Sequence, residues 1–436
     1  MLTLPAALTR KMSKRLLPFV LFMYVVAYLD RVNVGFAKQA FQSSTGISEA
    51  AFAFGAGVFF IGYALLEVPS NLMLHRVGAR AWMSRIMVTW GLISAAMAFA
   101  HTETSFYVLR FLLGAAEAGF FPGVLLYLTY WFPDAVRSRA MGFFYFGGPL
   151  AFIFGGPLSG LLLNLDGVGG VHGWQWLFAF EGLLASAVGV WAYGYLDNGP
   201  ADAAWLSRDE RALVIGVLAQ QNRHKQTPRR GLLRTLCQPA VLHLCLVYFL
   251  IQASVYGVMF YLPTQVAGLL GVRVGIMVGL VSAIPWICAV AAIYWVSGYA
   301  DRSGQHRPIA CLSLMLAAAG IASSVTFSSP VLAIIALCFA ASGFFAMQPS
   351  FWSFPTSYLA GSSAAAGIAM INAFGNLGGF VSPVLKQWAE SAFHSPAAGL
   401  YLLAAIAAAA ALLALGIRAP HRDDLRQATA TERAAT

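Results

Sequence analysis

Twelve apolar runs, each about as long as a bilayer's hydrocarbon core is thick, dominate this chain. A run of about 20 apolar residues crosses that core as a helix, because lipid offers the backbone N–H and C=O groups no partners outside the helix itself. The runs fall at 16–36, 52–74, 83–100, 106–131, 142–163, 175–196, 240–263, 274–297, 308–327, 331–354, 364–387 and 397–417. They predict an all-α integral membrane protein with 12 transmembrane helices. Composition agrees, since 59% of residues are hydrophobic and only 10% are charged, against about 25% charged in an average soluble domain. A soluble globule with so few charges could not cover its own surface.

An even number of spans puts both ends of the chain on one side, and the basic residues choose that side. Arg76, Arg80, Arg137, Arg139, Arg208, Arg211, Arg229, Arg230, Arg302 and Arg307 fall in the loops after spans 2, 4, 6 and 8, whereas the opposite loops hold little beyond Lys38 and Arg273. By the positive-inside rule both termini face the cytoplasm, so the expected location is the inner (plasma) membrane. The net charge of +10 is therefore a topology signal and not a nucleic-acid footprint, for the basic residues form no patch interleaved with exposed aromatics. Arg10, Lys11, Lys14 and Arg15 ahead of the first run imitate a signal peptide, but that run is too long and carries Asp30 and Arg31, so it reads as a retained helix. The five cysteines form no C-x-x-C pair and read as small core residues, with no metal and no cofactor expected.

The longest polar segment divides the runs six and six. The expected organisation is an N-terminal six-helix half over 1–197, a cytoplasmic linker over 198–239, a C-terminal six-helix half over 240–420 and a tail over 421–436. Within the linker, Ser207 and Glu210 have capping-box spacing ahead of an apolar stretch, which predicts a short helix on the cytoplasmic face. The loop from Asn71 to Arg80 after span 2 has its counterpart from Ser297 to Arg307 after span 8, so the halves read as a parallel repeat.

Charge inside the spans carries the functional information. Asp30 and Arg31 lie in the first run, and Arg110 and Glu117 in the fourth; ionisable groups at such depth usually face a protein interior or a water-filled cavity. In one continuous helix Arg110 and Glu117 share a face, separated by about 10.5 Å along the axis. Asp30 and Arg31, being adjacent, point about 100° apart and serve different neighbours. A guanidinium holds a carboxylate bidentately and keeps its charge, which suits an anion anchor. A carboxyl group in apolar surroundings is driven towards its neutral form, which suits proton loading. Mutual pairing for helix packing is the competing account of the same four residues.

Several segments resemble one known family. Both inter-span loops are similar to the G-x-x-x-D-R-x-G-R-R signature of the major facilitator superfamily, with His75 at the Asp position of the first, Asn71 and Ser297 at the two leading Gly positions, and His306 at one basic position. The stretches Tyr28 to Asn33, Phe60 to Leu72, Leu109 to Gly119, Pro133 to Ala140 and Trp174 to Glu181 resemble, more narrowly, the anion:cation symporter branch. The resemblance implies two six-helix halves, alternating access, and gating loops at Arg76, Gly78, Arg80, Asp301, Arg302 and Gly304. It also implies proton coupling at Asp30 and Glu117 and anion contacts at Arg31 and Arg110. Tyr28, Tyr63, Gln252, Trp352 and Asn372 stand at family-like pocket positions, as do Tyr256 and Asn376. A monomer in lipid, binding a small organic anion and protons, is the implied assembly.

Glu67, Glu181, Lys386, Glu390 and His243 lie near the expected span ends, where interfacial anchoring is the simplest account. Gly156 to Gly160 and Gly375 to Gly379 have the G-x-x-x-G spacing of close helix contacts. Gly156 to Gly160 also resembles part of a proton-antiporter motif, which keeps a drug or metabolite exporter as the alternative. No catalytic fingerprint is present and the loops are too short to build an enzyme site. The expected function is proton-coupled uptake of tartrate, a related hydroxydicarboxylate or an aromatic acid.

Overall fold

The apolar runs form helices that outlast the spans they contain. A computed structural model describes residues 4–223, 238–358 and 361–417. Helix α1 (Ala6–Thr45) is followed by α2 (Glu49–Val77), α3 (Ala79–Ala96), α4 (Glu103–Glu117), α5 (Phe120–Trp131), α6 (Asp134–Tyr145), α7 (Gly147–Leu163) and α8 (Gly173–Tyr195). After α9 (Arg208–Arg223) come α10 (Pro239–Leu270), α11 (Ile276–Ser303), α12 (His306–Thr326), α13 (Pro330–Tyr358), α14 (Gly361–Ala392) and α15 (Pro396–Leu415). Eleven segments are long and apolar enough to cross a membrane. Helix α14, continuous over Gly361–Ala392 with Lys386 and Glu390 near its end, is the twelfth span.

The fourth span departs from the sequence expectation. It is not one helix but two, α4 and α5, joined at Ala118 (ψ 132) and Gly119 (φ 86). Gly119 is in the left-handed region, and a Cβ there would stand 2.3 Å from the Ser70 hydroxyl of α2, so only glycine fits. Glu117 is therefore the last residue of α4, and Arg110, seven residues earlier on the same unbroken helix, shares its face as expected.

Within the first half, α2 packs on α4, α3 on α8 and α1 on α7; within the second, α10 packs on α14 and α12 on both α13 and α15. The halves meet where α7 faces α11, α2 faces α14 and α1 faces α10. Glycines let these backbones approach. A Cβ on Gly156 would lie 2.8 Å from the Gly279 carbonyl oxygen, one on Gly160 2.5 Å from that of Gly275, and one on Gly57 2.6 Å from that of Phe380. All three contacts sit towards the side of the membrane where α1 ends, opposite the N-terminus. The expected close approach of backbones is present at Gly156 and Gly160, whereas Gly375 and Gly379 instead make room for the rings of Tyr248 and Phe60.

On the other side, α9 has the expected cap. Ser207 Oγ accepts from the Glu210 amide at 3.2 Å and Glu210 Oε2 accepts from the Ser207 amide at 2.8 Å. Lys11 Nζ donates to the same carboxylate at 2.6 Å, which holds the Glu210 carboxyl below the usual range and ties α9 to the start of α1. The expected linker beyond Arg223, through residue 237, and the tail from 418 on lie outside the described residues.

Candidate substrate and proton site

Arg31 is the hub of the charged residues. Its Nε and Nη2 donate to Glu117 Oε1 at 3.0 and 2.6 Å, and its Nη1 donates to the hydroxyl of Tyr256 on α10 at 3.1 Å. Its guanidinium carbon lies 5.1 Å from the ring centres of both Tyr28 and Tyr63 and 5.5 Å from that of Phe59. A cation 8% exposed is thus held by one carboxylate, one hydroxyl and three ring faces, which together replace its water. The contacts come from α1, α2, α4 and α10, so Arg31 stands at the seam between the halves.

Asp30 faces elsewhere, as the angle between adjacent residues requires. It accepts from Trp90 Nε1 at 2.8 Å and Ser94 Oγ at 2.5 Å, both on α3, and from Asn33 Nδ2 at 3.2 Å. Arg110 is turned to the backbone of α2, donating to the carbonyls of Gly55 at 3.4 Å and Ala56 at 3.0 Å, with its guanidinium carbon 4.9 Å from the Phe59 ring centre. The four charges therefore divide. Arg31 and Glu117 form an ion pair at the seam, Asp30 belongs to the α1–α3 contact, and Arg110 belongs to the α2–α4 contact, with Phe59 between the two guanidinium groups.

The polar lining follows the helical repeat of α10. Tyr248, Gln252 and Tyr256 are four residues apart and share a face. Trp352 of α13 packs against Tyr248 with ring centres 5.0 Å apart, and its Nε1 donates to Gln348 at 3.2 Å. Asn372 of α14 donates from Nδ2 to Glu67 Oε1 of α2 at 3.2 Å, and Asn376, one turn on, is buried. Tyr28, Tyr63 and Tyr256 are thus brought onto Arg31, while Gln252, Trp352 and Asn372 extend the strip away from it.

Two acids named as interfacial anchors are not at an interface. Glu67 is 5% exposed and Glu181 1% exposed; Glu181 accepts from Ser159 Oγ at 3.0 Å. Nor is Lys386 snorkelling, since it is 5% exposed, 3.7 Å from the Tyr261 ring centre and paired with Glu390. Sequence position misled because neighbouring helices cover these positions: Glu67 meets Asn372 of α14, Glu181 meets Ser159 of α7, and Lys386 meets Tyr261 of α10.

The first of the implied gating loops is docked on α8. The Arg80 amide donates to Asn198 Oδ1 at 3.1 Å, its Nε donates to the Tyr193 carbonyl and its guanidinium lies 4.4 Å from the Tyr193 ring centre. Gly78 has φ 95 and faces Asn198, and Arg76 is exposed. In the second, Gly304 (φ 67) caps α11 and Arg302 is exposed. The side chains of His75 and Asp301 lie outside the described residues.

A helical bundle of twelve membrane spans, with a buried ion pair at the seam of its halves, is the architecture of a multi-pass membrane transporter. Residues 20–383 match the model of the Major Facilitator Superfamily, and the chain belongs to that family of secondary transporters; it is not an enzyme. The chain is 48% identical to the inner membrane transport protein RhmT of Escherichia coli K12 over 94% of this chain and 95% of that protein. It is 41% identical to a putative tartrate transporter of Agrobacterium vitis, over 94% and 91% of the two chains. It is also 40% identical to a quinolone resistance transporter of Acinetobacter baumannii, over 91% and 92%. The resemblance of Tyr28 to Asn33 and the other quoted segments to the anion:cation symporter branch agrees with these relatives.

Proposed function

We propose that this chain imports a small organic carboxylate together with a proton across the inner membrane, with both termini in the cytoplasm. The observation that carries this reading is the Arg31–Glu117 pair at the seam, shared with Tyr256 of the other half. An incoming carboxylate competes with Glu117 for the Arg31 fork. Once Arg31 is taken, Glu117 is a buried charge without its partner, which costs several kcal/mol unless the carboxyl takes up a proton. Anion binding and proton binding therefore favour each other, and the doubly loaded site carries less net charge through the low-dielectric barrier than either alone.

Arg31 is the principal anion contact in this reading, with Arg110 adding positive field through Phe59, and Tyr28, Tyr63, Gln252, Trp352 and Asn372 shaping the pocket. Glu117 is the main proton carrier and Asp30 a second acid. The halves 1–197 and 240–420 rock about the site, and the loops carrying Arg76, Gly78, Arg80, Asp301, Arg302 and Gly304 latch and release the cytoplasmic ends. The tight glycine contacts on the side opposite the N-terminus support reading this conformation as closed on that side. A monomer is the transporting unit in this reading.

The substrate class proposed is tartrate or a related hydroxydicarboxylate, or an aromatic acid; the tartrate relative supports it. Proton-driven export is the second reading, favoured by the relative named for quinolone resistance. Thermal stabilisation of the purified protein by hydroxydicarboxylates, sugar acids, aromatic acids and neutral or cationic drugs, at acid and neutral pH, separates them. Stabilisation by an acid, stronger at acid pH, is expected. Stabilisation only by neutral or cationic compounds overturns the anion site.

A further inference from the structure

Glu67 is a buried carboxylate that the ion pair and its coupling do not use. It lies on α2, and its Oε1 accepts from Asn372 Nδ2 across the seam at 3.2 Å. Its Oε2 is buried and, among the described residues, has no hydrogen-bond partner. Glu67 is one turn from Tyr63, whose ring centre lies 5.1 Å from the Arg31 guanidinium carbon. Four residues of helix advance about 6 Å, so the carboxylate sits beside the anion contact and on the same face of α2.

A second carboxylate next to an anion contact opposes anion binding. The opposition is removed when the ligand brings a donor of its own. A hydroxyl on the substrate can give its proton to Glu67 Oε2 while the substrate's carboxylate engages Arg31; an unsubstituted acid or a bare ring leaves the Glu67 carboxylate facing negative charge or apolar carbon. Specificity then comes from a penalty on the wrong ligand as much as from a contact with the right one. A site built to bond a substrate hydroxyl rejects the analogue that lacks it, because its own polar group is left unpaired.

We propose that Glu67 is a specificity-determining residue that accepts a hydrogen bond from a substrate hydroxyl, so that the site takes hydroxycarboxylates in preference to acids without one. This rests on the reading that Arg31 holds the substrate carboxylate. Asn372 fixes the Glu67 rotamer by occupying the other oxygen, which leaves Oε2 for the ligand.

The test compares pairs of acids that differ only in hydroxyl groups: tartrate with succinate, gluconate with hexanoate, mandelate with phenylacetate. Binding to the full-length purified protein is measured for wild type, Glu67→Met and Asn372→Ala. In wild type the hydroxylated member of the pair that binds is expected to be tighter by about 10- to 100-fold, the range for one hydrogen bond to a charged group. In Glu67→Met the ratio should fall to about threefold or less through weaker binding of the hydroxylated acid. Asn372→Ala frees the Glu67 rotamer but keeps its carboxylate, so the ratio should fall less than in Glu67→Met and the hydroxylated acid should still bind more tightly. A merely structural Glu67–Asn372 tie predicts something else: both variants lose stability and weaken both members of a pair alike, and that result overturns the proposal. So does a wild type that binds both members equally. If no carboxylate of any kind binds, the anion reading itself falls and takes the role of Glu67 with it; if carboxylates bind through Arg31 without a hydroxyl preference, only the role of Glu67 falls.

Discussion

Arg31 and Glu117 meet asymmetrically: two nitrogens of the guanidinium donate to one carboxylate oxygen, Oε1, at 3.0 and 2.6 Å, while Oε2 is buried with no partner among the described residues. Half of the Glu117 carboxyl is therefore already without a donor before any ligand arrives. Glu117→Gln imitates the protonated acid and fixes it. Gradient-driven uptake in proteoliposomes should be abolished, because no proton can be loaded or released, while exchange of internal for external substrate should be kept within a few fold. Equal loss of both activities would remove Glu117 from coupling.

The two arginines should separate experimentally. Arg31→Lys keeps a charge but loses the fork that spans Glu117 and Tyr256, and an ammonium cannot reproduce it. Substrate affinity should fall by about 10-fold or more, as expected for one charge-assisted hydrogen bond. Arg110→Lys loses the fork onto the Gly55 and Ala56 carbonyls, so transport should fail there too, accompanied by a loss of thermal stability of about 1–3 kcal/mol. Binding isotherms and melting curves on both variants test this. Wild-type affinity and wild-type stability in Arg110→Lys would leave that residue with no role in either.

What the sequence made legible was the identity of the charges and the fact that adjacent ones must part. Asp30 and Arg31 do part, one to α3 and the other to the seam, because about 100° separates them on any helix. The break at Ala118 and Gly119 was not legible: a glycine within an apolar run signals close packing as readily as a kink, and here the deciding fact is Ser70 on another helix. Glu67 and Glu181 were misplaced for a related reason. Burial at the end of an apolar run depends on which helices overhang it, and that is tertiary information. Tyr256 carried no local signal stronger than any aromatic in a span, and only the fold brings it to 3.1 Å from Arg31.

On the side opposite the N-terminus, two buried lysines share one ring. Lys38 of α1 lies 4.8 Å and Lys386 of α14 3.7 Å from the ring centre of Tyr261 on α10. Each has its own acid, Glu49 at 2.9 Å for Lys38 and Glu390 for Lys386. Removing one partner of such a pair leaves a buried charge, whereas removing both leaves little. Because the Glu49 carboxylate is itself half exposed, Glu49→Gln should lower thermal stability by only about 0.5–1 kcal/mol, and Lys38→Met combined with Glu49→Gln should recover at least half of that. Additive losses in the double variant would place Lys38 outside the pair.

The glycine seam between α7 and α11 supplies the sharpest conformational prediction. A Cβ on Gly279 would stand 2.2 Å from the Gly156 carbonyl oxygen, and the atom it meets is backbone, which cannot swing aside like a long side chain. Gly279→Ala is therefore incompatible with the contact as it stands, while nothing opposes it once the helices separate. Because Ala is the better helix former by about 1 kcal/mol, the substitution should not unfold α11. It should instead shift the population away from this closed arrangement. Spin labels at Leu165 and Val272, on the ends of the two segments nearest the contact, should report a longer mean distance in the variant, and substrate-driven uptake should slow while binding from the open side persists. An unchanged distance distribution would mean that α7 and α11 do not part during transport, and the seam would then be a fixed hinge between the halves.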